Sequence, residues 1–182
     1  MKSDWQQVEM PPSLAARPRD ARGFPITFVT LIDSQGQPDF TTLDARKIEA
    51  CITQGICGLC GERWPSPSNS PAGARRPDDH LRAFVGGPLS CESRMFYDPP
   101  MHVECAEYAM QVCPHIATPT ARYKKQVLGG PEQRAEVIGS TGTRPEKFGL
   151  LVTERVTLGY MQGQPIFIAA LPVSVTWRDD DE

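Results

Sequence analysis

Two short ligand pairs constrain this chain more than any other feature: Cys57-Gly58-Leu59-Cys60-Gly61 and, farther along, His102-Val103-Glu104-Cys105. Thiolates two residues apart reach one ion when the turn between them points both side chains inward. A glycine beside the second cysteine lets the backbone fold tightly there, and backbone N–H groups in such a turn can donate to the sulfurs. A lone C-x-x-C is ambiguous between a redox pair and a metal knuckle. The second pair favours metal. Residues three apart on a helix share a face, and the positive end of a helix dipole favours thiolate. Three thiolates and one imidazole then form a closed tetrahedral set, the usual composition of a structural Zn2+ site. No βαβ pattern surrounds the C-x-x-C, as a thioredoxin-like motif would require. Cys51 and Cys91 read as core thiols, with Cys91 or His115 as substitute ligands if the register differs. Cys113 lies two helical turns past Cys105, about 12 Å away along the axis and too far to share the ion.

Hydrophobic periodicity places these pairs on an α+β frame. Residues 1–22 are polar and proline-rich and read as an extended or mobile arm. A first strand is expected over Ile26–Ile32, then a turn at Asp33-Ser34-Gln35-Gly36. Thr41 or Thr42 would cap a helix running to about Gln54, with Gly55 as its stop. Pro65–Asp79 reads as a surface loop. Leu81–Val85 reads as a strand with Met95–Tyr97 as its partner. Asp98-Pro99-Pro100 would open the main helix, since Asp caps well and proline is tolerated in a first turn. Met101, Cys105, Tyr108 and Val112 recur on one face of it. The last third reads as strands: Val156, Leu158 and Tyr160 alternate, Ile166–Ala170 is continuously apolar, and Leu171, Val173, Val175 and Trp177 alternate so as to bury one face. The expected organisation is an arm at 1–22, a zinc-binding unit at 23–117 and a β-rich region with an acidic tail at 118–182.

Composition narrows function less than fold. The 182 residues carry a net charge of −3, which argues against binding dominated by phosphate contacts. Local basic groups at Arg75 and Arg76, and at Arg122, Lys124 and Lys125, keep nucleic acid as a secondary candidate partner. The N-terminus has no apolar run of the kind a secretory signal needs, and no stretch is long enough to span a bilayer. Six cysteines are best explained in a reducing cytoplasm by metal ligands and buried thiols. No small-molecule cofactor motif is evident: glycine loops for phosphate and the G-x-S-x-G elbow are both missing.

Two enzyme classes bear on the metal. Asp79-His80 followed by Gly86-Gly87 resembles part of the His-Asn-His nuclease pattern, in which a histidine activates water. Here no Asn lies between Gly87 and the helix, and the second ligand pair is H-x-x-C. His102-Val103-Glu104 matches the H-x-E of zinc deaminases. There, however, the motif precedes P-C-x-x-C, and Cys105 would close the position that catalytic water needs.

The order of knuckle, loop, strands and ligand-bearing helix resembles a treble-clef zinc finger over about residues 56–113. A further resemblance, to a family of small uncharacterised bacterial and phage proteins, is carried by several motifs. These are Arg17-Pro18 with Arg22-Gly23-x-Pro25, Cys57-x-x-Cys60-Gly61, Phe84-Val85-Gly86-Gly87-Pro88, Pro99-Pro100-Met101-His102-x-x-Cys105-Ala106-x-Tyr108-Ala109 and Cys113-Pro114. It implies metal binding and a phage or bacterial origin, and no mechanism. The resulting expectation is an α+β protein whose zinc-stapled treble-clef-like unit is joined to a C-terminal antiparallel β element. Its expected function is a non-catalytic interaction module of phage or prophage origin that binds a host protein, with nucleic acid as the second candidate, in the cytoplasm. A metal-dependent nuclease using His80 is the alternative.

Overall fold

A computed structural model describes residues 5–65, 78–117, 125–130, 134–137 and 142–178. The main helices are α2 (Ala45–Gln54) and α4 (Val103–Val112), with short helices α1 (Pro12–Ala15), α3 (Pro88–Ser93) and α5 (Pro114–Ala117). Strands β1 (Thr30–Ile32), β2 (Pro38–Asp44), β5 (Val127–Gly129) and β6 (Arg134–Glu136) form one sheet in the order β1-β2-β5-β6. Strands β3 (Arg82–Gly86), β7 (Phe148–Thr153) and β10 (Pro172–Arg178) form a second, with β7 in the middle. Strands β4 (Met95–Phe96), β9 (Gln164–Ala169) and β8 (Val156–Met161) form a third, centred on β9. The pairing is antiparallel throughout the second and third sheets, and β2–β5 is parallel. Among the described residues no helix is long and apolar enough to cross a membrane.

Every sheet joins a strand from before residue 117 to one from after it: β2 with β5, β3 with β7, and β4 with β9. The C-terminal strands therefore complete the sheets of the part that carries Cys57, Cys60, His102 and Cys105. β7 is buried along its whole length, because β3 and β10 flank it in the sheet and α4 lies against it. One core cluster gathers Cys57, Cys60, Cys105, Trp64, Tyr108, Phe148 and Leu14; a second gathers Phe84, Phe96, Leu151, Ile48 and Phe167. Phe84 and Phe96 stack with ring centroids 4.4 Å apart at the heart of the second.

Several local expectations change. The proline-rich N-terminus is not simply extended: Trp5–Gln7 is a 3-10 turn, and α1 drives Leu14 into the core to 2 % exposure. Pro12 sits in the first turn of α1, where its missing N–H has no cost. Asp44, not Thr41 or Thr42, caps α2, its carboxylate accepting from the Arg46 N–H at 3.0 Å. The two threonines are drawn into β2 and tied to Asp39, which accepts from both hydroxyls. The first strand is only Thr30–Ile32, because Phe28 and Val29 spend their N–H groups on Leu59 and Gly58 of the knuckle. Met95–Phe96 pairs with β9, not with β3, since α3 intervenes. Val173 on β10 and Leu171 just before it are exposed although the alternation predicted a buried face; among the described residues β10 is an edge strand and little covers it.

Candidate metal centre

The knuckle is built by hydrogen bonds that leave both sulfurs pointing inward. Cys57 N–H donates to Glu62 O at 2.9 Å, and Gly61 N–H returns to Cys57 O at 3.0 Å. Gly61 adopts φ +81°, and a Cβ there would meet the Phe28 ring at 2.7 Å, so glycine is required twice over. Glu62 N–H then donates to Cys60 Sγ at 3.4 Å. An N–H donated to sulfur in this way steadies a thiolate.

The second pair arrives differently from the sequence expectation. Asp98 does not cap the helix; its carboxylate accepts from Gln126 Nε2 at 3.0 Å. Asp98 and Pro99 each precede a proline, which disfavours helical backbone. Met101 is extended, exchanging both backbone hydrogen bonds with Ala83 at 2.9 Å. His102 is thus the N-cap residue of α4, and its own N–H donates to Cys57 Sγ at 3.4 Å. Cys105 follows in the first turn and is fully buried.

The structure brings together all four residues read from the sequence. The ligand atoms of Cys57, Cys60, His102 and Cys105 all lie within 4.8 Å of one another. His102 Nδ1 is 3.3 Å from Cys60 Sγ and 4.0 Å from Cys105 Sγ. A tetrahedral ion with metal–sulfur bonds of about 2.3 Å and a metal–nitrogen bond of about 2.0 Å separates its donors by roughly 3.5–3.8 Å. The donor set and its spacing therefore fit a metal ion such as zinc. Burial opposes ionisation of Cys57, but hydrogen bonds from the Cys105 and Cys60 side chains and from the backbone hold it below the ordinary thiol range. Cys105 is pushed up by sharing its proton with Cys57 and Cys60. A cation bound among these sulfurs would displace thiol protons.

Residues that sequence reading passed over surround the cluster. Trp64 packs against the His102 ring with centroids 4.8 Å apart, and the Arg82 guanidinium covers the other ring system at 4.2 Å from the Trp64 centroid. Trp64 Nε1–H donates to Leu81 O at 3.3 Å, which fixes the indole. Burial lowers Arg82 to about 10, against the attraction of Cys57. Arg17, likewise lowered by burial, feels Cys60. Three thiolates and a divalent ion would leave one net negative charge, and these two arginines flank it. Ser13 Oγ lies 3.7 Å from Cys105 Sγ, so the N-terminal segment also touches the cluster. A tryptophan four residues after Cys60 is a signal that could have been used; nothing in a proline-rich arm marks Ser13.

The other candidates lie elsewhere. Cys51 and Cys91 are buried core thiols, pushed up to about 12 and about 11 by burial. Neither they, nor Cys113, nor His115 belongs to the ligand group found among the described residues. His80 sits exposed in a turn leading into β3 and is not in that group either. Lys125 pairs with Glu136 at 2.9 Å on the surface. Arg75, Arg76, Arg122 and Lys124 lie outside the described residues. No protein family model, curated protein or solved structure matches the chain, so no family is identified for it.

Proposed function

We propose that this chain is a non-catalytic, zinc-stapled interaction module with a treble-clef-like centre, whose partner is a protein. The observation that carries the reading is the ligand set. Three sulfurs and one imidazole nitrogen supply all four positions of a tetrahedral ion, and a catalytic zinc needs one of them for water or substrate. The metal's work is then mechanical: it ties the knuckle to the front of α4, beneath chain segments too rich in proline to build that contact from core alone. A treble-clef-like arrangement accounts for the order of knuckle, β3 and α4. The motif likeness supports a phage or prophage origin, with a host protein as the partner.

The edge strand β10 supports a protein partner. Among the described residues it pairs on one side only; it exposes Val173 at 59 %, and Leu171 just before it is exposed at 80 %. An open strand edge with apolar side chains is a template for an added strand from another chain. The test is affinity capture from a bacterial lysate with the metal-loaded chain and with Val173→Lys. The reading expects a discrete protein retained by the first and lost with the second. Equal capture by both, or release of nucleic acid in place of protein, would count against it.

A further inference from the structure

A cavity of about 340 Å³ opens between α4, β2 and the knuckle. Its wall is mostly apolar, with Phe24, Val29, Leu59, Val112 and Phe148 among the lining residues. Gly58 and Leu59 place the metal knuckle itself in that wall. A volume in this range, apolar with a few polar groups, is the usual form of a small-molecule site.

The polar groups in it are unequal. Arg22 is already matched, paired with Asp20 at 2.7 Å and lying over the Phe24 and Phe40 rings at 5.2 and 5.7 Å. His115 is lowered by burial and by Arg22, which favours its neutral form. The Cys113 thiol is raised by burial. The Tyr108 hydroxyl is buried with no hydrogen-bond partner among the described residues. Asp98 is the remaining ionisable group. One carboxylate oxygen accepts from the neutral Gln126 amide, and among the described residues no cation pairs with it. Burial pushes its carboxyl up, yet the residue keeps partial access, as a side chain lining a cavity does. A carboxylate held away from water without a counter-charge is costly, and a cation that enters with its own apolar body relieves that cost.

We propose that this cavity binds a small organic amine, its ammonium held by Asp98 and its apolar body by the aromatic and aliphatic wall. The site is separate from β10 and does not depend on the protein-binding role.

The test uses the metal-loaded full chain and titrates benzylamine and phenethylamine by calorimetry, with benzyl alcohol as the neutral isostere. The amines should saturate one site per chain. The alcohol should bind about tenfold or more weakly, the margin expected of a charge-assisted hydrogen bond. Asp98→Asn should abolish the preference for amine, and Ala109→Leu, which adds bulk at a residue that lines the cavity from α4, should weaken both ligands. No saturation by either amine, equal binding of benzyl alcohol, or an unchanged preference in Asp98→Asn would overturn the proposal. Should Asp98→Asn not retain metal, the alcohol comparison and Ala109→Leu decide it.

Discussion

Replacing Gly58 by alanine is the smallest change that should pry the two ligand pairs apart. Gly58 does not need a left-handed backbone; what it needs is room. A Cβ there would sit 2.8 Å from Pro99 Cγ, 3.3 Å from Pro99 O and 3.4 Å from Pro99 Cδ. The proline ring is rigid and its carbonyl is main chain, so neither can turn aside. The knuckle must move off the 99–100 segment, stretching the Gly58 N–H to Pro100 O bond of 3.1 Å. That segment leads directly into His102, so the sulfurs of Cys57 and Cys60 would withdraw from the imidazole and from Cys105. Overpacking of this kind costs about 1–3 kcal/mol, which corresponds to roughly 5- to 150-fold weaker metal binding if the strain falls on the bound state. Competition against a chromophoric chelator measures it directly. Gly58→Ala with unchanged zinc affinity and unchanged thermal midpoint would refute the claim that the 58–99 contact registers the two halves of the site.

Leu14→Ala should lower stability by about 2–5 kcal/mol in denaturant titrations, the cost of emptying a fully buried leucine site; a change below 0.5 kcal/mol would mean that α1 does not dock. Alkaline pH should destabilise the folded chain through Cys51. Its folded pKa is raised from 9.0 to about 12, so the unfolded state ionises first. Stability is flat below about 9 and falls between about 9 and 12, by up to roughly 1.4 kcal/mol per pH unit for this thiol. Urea melts at pH 8, 9 and 10 should show a shallower decline in Cys51→Ala than in the unaltered chain. Trp64→Leu should keep the four ligands but free the His102 ring, weakening metal binding by about tenfold; equal affinity would remove Trp64 from any positioning role.

The ligands were legible because metal chemistry is written in residue type and short spacing. Cys57, Cys60, His102 and Cys105 needed no long-range information to be paired, only the recognition that C-x-x-C and H-x-x-C are complementary halves. Helix α2 and hairpin β8–β9 were legible for a similar reason, since periodicity and turn residues act within one segment. What failed depends on contacts distant in sequence. Met101 is extended because Ala83 pairs with it, and no local signal around Asp98-Pro99-Pro100 reports that. The interleaving of β3 with β7 and of β4 with β9 is equally invisible in any single window. The apolar alternation of β10 read as a buried face, but periodicity gives only which residues share a side, not whether anything covers it.

Metal content and coordination spectrum of the purified chain test the central claim most directly. With Co2+ as a probe, the chain should bind one equivalent and give the intense visible bands of a tetrahedral thiolate-rich site, and Cys105→Ser should diminish the thiolate-to-cobalt charge-transfer absorption by about a third. Absence of stoichiometric metal, or a spectrum unchanged by Cys105→Ser, would contradict the account that these four side chains close around one ion.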